Sequence, residues 1–182
     1  MRIFAAAAVL LGSGITASAV SAEPRIQSER FEDWFYRCVT PEASKEQPQP
    51  KAQCEVVQIA QTKQGKETVN VLTISVSETV RDNKKNAVLT VLVPQNVHLP
   101  SGLILSIGEQ SKVTLHYRNC NNAGCWIQHA IDGKSLEALK SNEAGFASLH
   151  LINGQNLNIK FSLKGFKEAL QALESDKHPK KS

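Results

Sequence analysis

Four cysteines, Cys38, Cys54, Cys120 and Cys125, all lie downstream of a stretch that reads as a cleavable export signal. That arrangement constrains the fold most, because it puts the thiols in an oxidising compartment where bridges form and persist. The chain starts Met1-Arg2, runs apolar from Ile3 to Leu11, and passes through small residues to Ala22. A basic start, a short apolar run and small residues at −3 and −1 are what a signal peptidase site needs. Cleavage after Ala22, with Val20 at −3, is favoured over cleavage after Ala19, because Glu23-Pro24 suits an exposed new end. The apolar run is shorter than the roughly 20 residues that span a bilayer. The expected organisation is a signal peptide over 1–22, one domain over 23–174, and a flexible basic tail over 175–182.

Four cysteines permit three pairings. Cys38 and Cys54 flank a stretch rich in Pro, Gln, Glu and Lys (41–52), and Cys120 and Cys125 flank Asn121-Asn122-Ala123-Gly124. The local pairings, Cys38 with Cys54 and Cys120 with Cys125, are favoured, since neighbouring strand ends reach the separation a disulfide needs. Two other readings compete. Cys120-x-x-x-x-Cys125 could be a redox pair, although it is wider than Cys-x-x-Cys and has no βαβ setting. His116, Cys120, Cys125 and His129 could be a metal quartet, since two Cys with two His form a zinc ligand set.

Short apolar runs broken by polar turns fill the rest. Strands are expected over 31–38, 53–62, 68–77, 87–93, 103–107 and 112–117, with another opening at Trp126-Ile127. The third has an alternation that slips between Val71 and Ile74, which predicts a bulge. Ala87 to Val93 is continuously apolar and β-branched, which predicts burial on both faces. Two further alternating runs, 146–152 and 157–163, flank Asn153-Gly154, a strong hairpin signal. Ser135 to Lys140 can form a short helix. Phe166, Ala169, Leu170 and Leu173 form one apolar stripe at helical spacing, with Ser162 as its expected cap. Eight or so strands at short intervals predict an all-β sandwich or barrel with a short C-terminal packing helix.

Lys and Arg exceed Asp and Glu by 21 to 17, a balance too slight and too dispersed for nucleic acid. Motifs for nucleophilic, metalloprotease or phosphate-binding chemistry are absent, so no catalytic residue, metal or cofactor is assigned. No transmembrane segment remains once the signal is removed. Trp34 reads as core packing. Trp126, directly after the cysteine loop, is the better surface aromatic, and with Asn121 and Asn122 it forms the candidate binding set.

Several stretches resemble one family. Asp33-Trp34 followed by Cys38, Pro100-Ser101-Gly102 before Leu103-Ile104-Leu105, Cys120-Asn-Asn-Ala-Gly-Cys125, and Ser162-Leu-Lys-Gly-Phe166 through Leu173 occur in order. They resemble the signatures of the invasion-associated locus B family of alphaproteobacteria. Two positions depart from it: Glu32 stands where the family pattern has Gly, and Trp126 where smaller residues are common. The resemblance implies an immunoglobulin-like β-sandwich in a periplasmic, outer-membrane-associated or secreted protein. It also implies a link to virulence through host-cell, notably erythrocyte, invasion. The expected function is therefore non-enzymatic binding to a protein or cell-envelope partner, or to a host-cell surface. The alternative is a metal-binding or enzymatic domain built on His116, Cys120, Cys125 and His129.

Overall fold

Alternation of β-branched and polar residues dominates the chain, and strands follow from it. The computed structural model describes residues 24–175 apart from 45, 47, 49, 82, 109 and 110. The expected signal peptide, and the expected tail beyond Ser175, lie outside the described residues.

One sheet has the order β1-β2-β3-β4-β5-β9-β8. Its strands are β1 (Arg25–Phe31), β2 (Trp34–Thr40), β3 (Gln53–Gln64), β4 (Glu67–Arg81), β5 (Lys84–Val93), β8 (Asn119–Asn121) and β9 (Gly124–Ala130). The second sheet has the order β11-β10-β6-β7, from β6 (Leu103–Ile107), β7 (Ser111–Leu115), β10 (Ala144–His150) and β11 (Asn156–Ser162). Every strand pairing is antiparallel. Two short helices complete the fold, α1 (Gly133–Ser141) and α2 (Phe166–Glu174). The result is the expected sandwich.

The core lies between the sheets. Tyr36, Val56, Val76 and Leu89 are aligned across four strands of the larger sheet and face Leu103, Leu105, Leu149 and Phe161 of the smaller. Each such side chain contributes roughly 1.5–3 kcal/mol on burial. Four strands cannot cover seven, and α2 covers the flank left open. Its stripe of Phe166, Ala169, Leu170 and Leu173 is buried, against β1 to β4. Trp34 is fully buried, stands edge-on to Phe166 at 4.8 Å between ring centroids, and donates from Nε1 to the Ser162 carbonyl at 3.0 Å. The buried Gln58 ties the same joint: its amide nitrogen donates to the Asp33 carbonyl and its oxygen accepts from the Ser162 backbone N–H.

Several expectations are corrected. The first expected strand, 31–38, is in fact two: β1 ends at Phe31, the chain turns at Glu32-Asp33, and β2 starts at Trp34. Glu32 sits at φ 49°, a left-handed conformation that favours glycine. Ser162 ends β11 rather than capping α2. The cap is Gly165, at φ 80°, where a Cβ would lie 2.1 Å from the Phe31 carbonyl oxygen. Strand β5 is not buried on both faces: Leu89, Val91 and Val93 are buried, while Val88, Thr90 and Leu92 are half-covered on the outer face. The predicted bulge is present. Pairing of β3 with β4 shifts between Ala60 and Gln61, leaving Val71 as the extra residue.

Helix α1 is longer than the expected 135–140. Asp132 caps it by accepting from the Ser135 backbone N–H at 2.7 Å, and that bond holds its carboxyl below the usual value.

Candidate functional site

The two local disulfides form. Cys38 and Cys54 are directly opposed on β2 and β3, and Cys120 and Cys125 are directly opposed on β8 and β9. Both thiols of the proposed metal quartet are thereby used in a bridge, so His116, Cys120, Cys125 and His129 do not present a two-thiolate ligand set. Both histidines are exposed. The Cys120–Cys125 pair sits in a β-hairpin at a sheet edge, with no βαβ unit around it.

That hairpin is fixed at several points. Asn122 and Ala123 form its turn, and the Asn121 side-chain oxygen accepts from the Ala123 backbone N–H at 2.9 Å. The same oxygen accepts from Trp126 Nε1 at 3.3 Å, which orients the indole. Gln95 donates from its amide nitrogen to the Asn121 carbonyl. Gly124, at φ 140°, lets the hairpin lie directly on the end of β5, because a Cβ there would be 2.2 Å from the Val93 carbonyl oxygen.

Pro94 creates the space beside the hairpin. The ladder between β4 and β5 ends at Thr73 and Leu92, and proline, lacking an N–H, does not continue it. The chain then leaves β4 and turns toward Val97, which bridges to Leu151. A cleft of about 290 Å³ opens between β4 and the hairpin, with Asn70, Thr73, Leu92, Pro94, Gln95 and Asn122 on its walls. Among the described residues no charged side chain lines it. Trp126 stands directly across from Leu92 on the same outer face, in one row with Ile59 and Thr73. A neighbouring cleft of about 440 Å³ lies beyond Asn70 and Pro94, with an aliphatic wall from Val69, Val71, Leu149, Leu151 and Leu157.

The structure therefore brings Asn121, Asn122 and Trp126 together, and it separates Trp34 from them by placing it in the core. It adds Asn70, Thr73 and Gln95, which the sequence reading missed. The one sequence signal for them was Pro94 at the end of an apolar run, which marks where a ladder must stop.

A family model described as invasion associated locus B (IalB) protein matches residues 34–174. The chain belongs to the IalB family. The crystal structure of invasion associated protein B from Bartonella henselae is similar in fold, with a TM-score of 0.64 at 19% identity, over 81% of this chain and 96% of that one. None of the curated proteins matches the chain.

The IalB-like stretches turn out to be joints of the sandwich. The first and last meet each other: the Asp33 backbone N–H donates to the Lys164 carbonyl, and Trp34 contacts Ser162 and Phe166. Pro100-Ser101-Gly102 makes a 3-10 turn that closes back on Leu99 before β6. The Cys-x-x-x-Gly-Cys stretch is the hairpin itself, and its glycine is the contact with β5.

Proposed function

We propose that this IalB-family chain is an exported, non-enzymatic binding protein of the cell envelope that engages its partner through the cleft beside the Cys120–Cys125 hairpin. One observation carries the reading. A disulfide-pinned hairpin and a prolyl-broken strand end wall a cleft that keeps polar groups uncommitted, and the half-buried Trp126 is the strand partner of Leu92 on its wall. Binding is commonly carried by loops held on a rigid scaffold. Two disulfides support an oxidising compartment, and the basic start, apolar run and small residues of 1–22 are the sequence pattern of an export signal. Among the described residues no helix is long and apolar enough to cross a membrane.

The test is made in the native host. A photo-crosslinking amino acid is placed at position 122 and, as a control, at the exposed position 160 of β11. Adducts with envelope material from position 122 and none from 160 support the site. Equal labelling from both, or an intact mass showing an uncleaved chain that does not gain about four hydrogens on reduction, overturns the reading. The family's name, invasion associated locus B, favours a second reading, a host-facing adhesin. Protease treatment of intact cells separates the two, because an adhesin is cut and an internal protein is spared.

A further inference from the structure

The walls of the 290 Å³ cleft specify a kind of ligand. They combine three side-chain amides (Asn70, Gln95, Asn122) and one hydroxyl (Thr73) with the aliphatic surfaces of Leu92 and Pro94. Much of the amide capacity is unspent. Asn70 uses its oxygen to accept from Gln61 at 2.8 Å, which leaves its nitrogen to donate. Gln95 donates to the Asn121 carbonyl, which leaves its oxygen to accept. Among the described residues nothing bonds to the Asn122 amide or the Thr73 hydroxyl.

A charged ligand is a poor match. Charged residues make up 21% of the sequence, yet among the described residues none lines the cleft, so an ionic headgroup or a phosphate meets no counter-charge from them. A purely apolar ligand is also a poor match, because it would strip water from four polar side chains and return no hydrogen bond. What fits is a neutral molecule with hydroxyls or amides around its edge and C–H groups on its faces. Trp126 strengthens the match. It lies beside Leu92 on the outer face, half-buried, with its orientation set by Asn121. A flat, half-exposed indole next to a polar cleft offers a face on which the C–H side of a pyranose ring can stack. The volume is at the lower end of small-molecule sites, about 300–1,000 Å³, which is room for roughly one ring.

We infer that the cleft is a saccharide subsite, in which amides of Asn70, Gln95 and Asn122 take ring hydroxyls and Trp126 carries an adjoining ring. This rests on the binding reading above and names its ligand class. Two sources supply such ligands, the glycans of the bacterial envelope and those of a host surface.

The experiment titrates the mature, disulfide-bonded protein with chitotetraose, an N-acetylglucosamine chain of the envelope type, and with an N-acetyllactosamine tetrasaccharide of the host type. Tryptophan emission reports the site directly, since the other tryptophan, Trp34, is sealed in the core. The expected result is saturable binding with a dissociation constant at or below about 1 mM, with a shift in emission that Trp126→Phe abolishes. Asn122→Ala and Thr73→Val are each expected to weaken binding about tenfold with an unchanged melting temperature, and Lys160→Ala to leave it unchanged. Binding to either sugar supports the subsite and tells which source supplies it. Silence toward both at 10 mM, or binding that survives Asn122→Ala and Thr73→Val together, overturns it. If position 122 still crosslinks to an envelope protein in cells, the failure belongs to the sugar inference alone and the binding reading stands.

Discussion

The two flanks of the larger sheet carry the same device for different ends. On one flank, Cys38–Cys54 joins β2 to β3 where Cys38 is buried, beside Trp34, Gln58 and α2. On the other, Cys120–Cys125 joins the edge hairpin β8–β9, where Cys120, Asn121 and Asn122 are all exposed. The first flank is closed by an indole, a buried amide and a helix. The second keeps unspent amides beside a cleft. Each bridge has one half in the core, Cys38 and Cys125; the first flank is then covered by packing, whereas on the second Cys120 and the turn beside it stay exposed. The comparison teaches that a disulfide alone does not say whether a region is structural or functional; the packing around it does.

The sharpest way to break this contrast is to remove the indole from the closed flank. Trp34→Ala should cost about 3–5 kcal/mol, since it vacates the contact with Phe166 and orphans the Ser162 carbonyl. Chemical denaturation would measure it, and a loss under about 1 kcal/mol would mean α2 holds the flank without Trp34. The bridges come next. By loop entropy, Cys38→Ala with Cys54→Ala should cost about 3 kcal/mol, and the shorter Cys120–Cys125 pair about 2. The second pair should instead abolish crosslinking from position 122. A reversal of that order in melting temperature would make the hairpin the structural joint.

Two smaller effects, of opposite character, sharpen the comparison. At the turn of the closed flank, Glu32→Gly should stabilise by about 1 kcal/mol, because a left-handed residue with a side chain carries a cost of about 1–2 kcal/mol that glycine avoids. On the hairpin side, the Tyr117 hydroxyl is buried without a hydrogen-bond partner among the described residues. Tyr117→Phe should therefore stabilise by up to about 1 kcal/mol. Burial also pushes the Tyr117 phenol up to about 12 from its usual 10. Between those values the folded chain keeps a proton that the unfolded chain releases, so stability falls as pH rises from 10 to 12. Melting curves across that range should be flatter for Tyr117→Phe than for the parent.

Much of this was legible in the sequence where the signal is local. The disulfide pairs join strand neighbours, the bulge at Val71 shows as a slipped alternation, and the α2 stripe repeats at helical spacing. Strand β1 was missed because Arg25-Ile26-Gln27-Ser28-Glu29-Arg30 has one apolar residue. It is an edge strand held by its backbone pairing to β2. The expected double burial of β5 failed because apolarity reports what a face tolerates, and only the inner face meets the second sheet. The cleft was the least legible. Trp126 and the loop asparagines were visible beside a cysteine, but Asn70 and Thr73 lie about fifty residues upstream of them and reach the same wall only through sheet topology.

One property of the bridges has a bearing on how the molecule is made. Each cysteine is bonded to its immediate neighbour in the order of the chain, first to second and third to fourth. For a polypeptide delivered amino end first into an oxidising space, the earliest thiol that each odd-numbered cysteine meets is its native partner. Oxidation in that order would need no reshuffling, so the native bridges are expected to form with an oxidase alone.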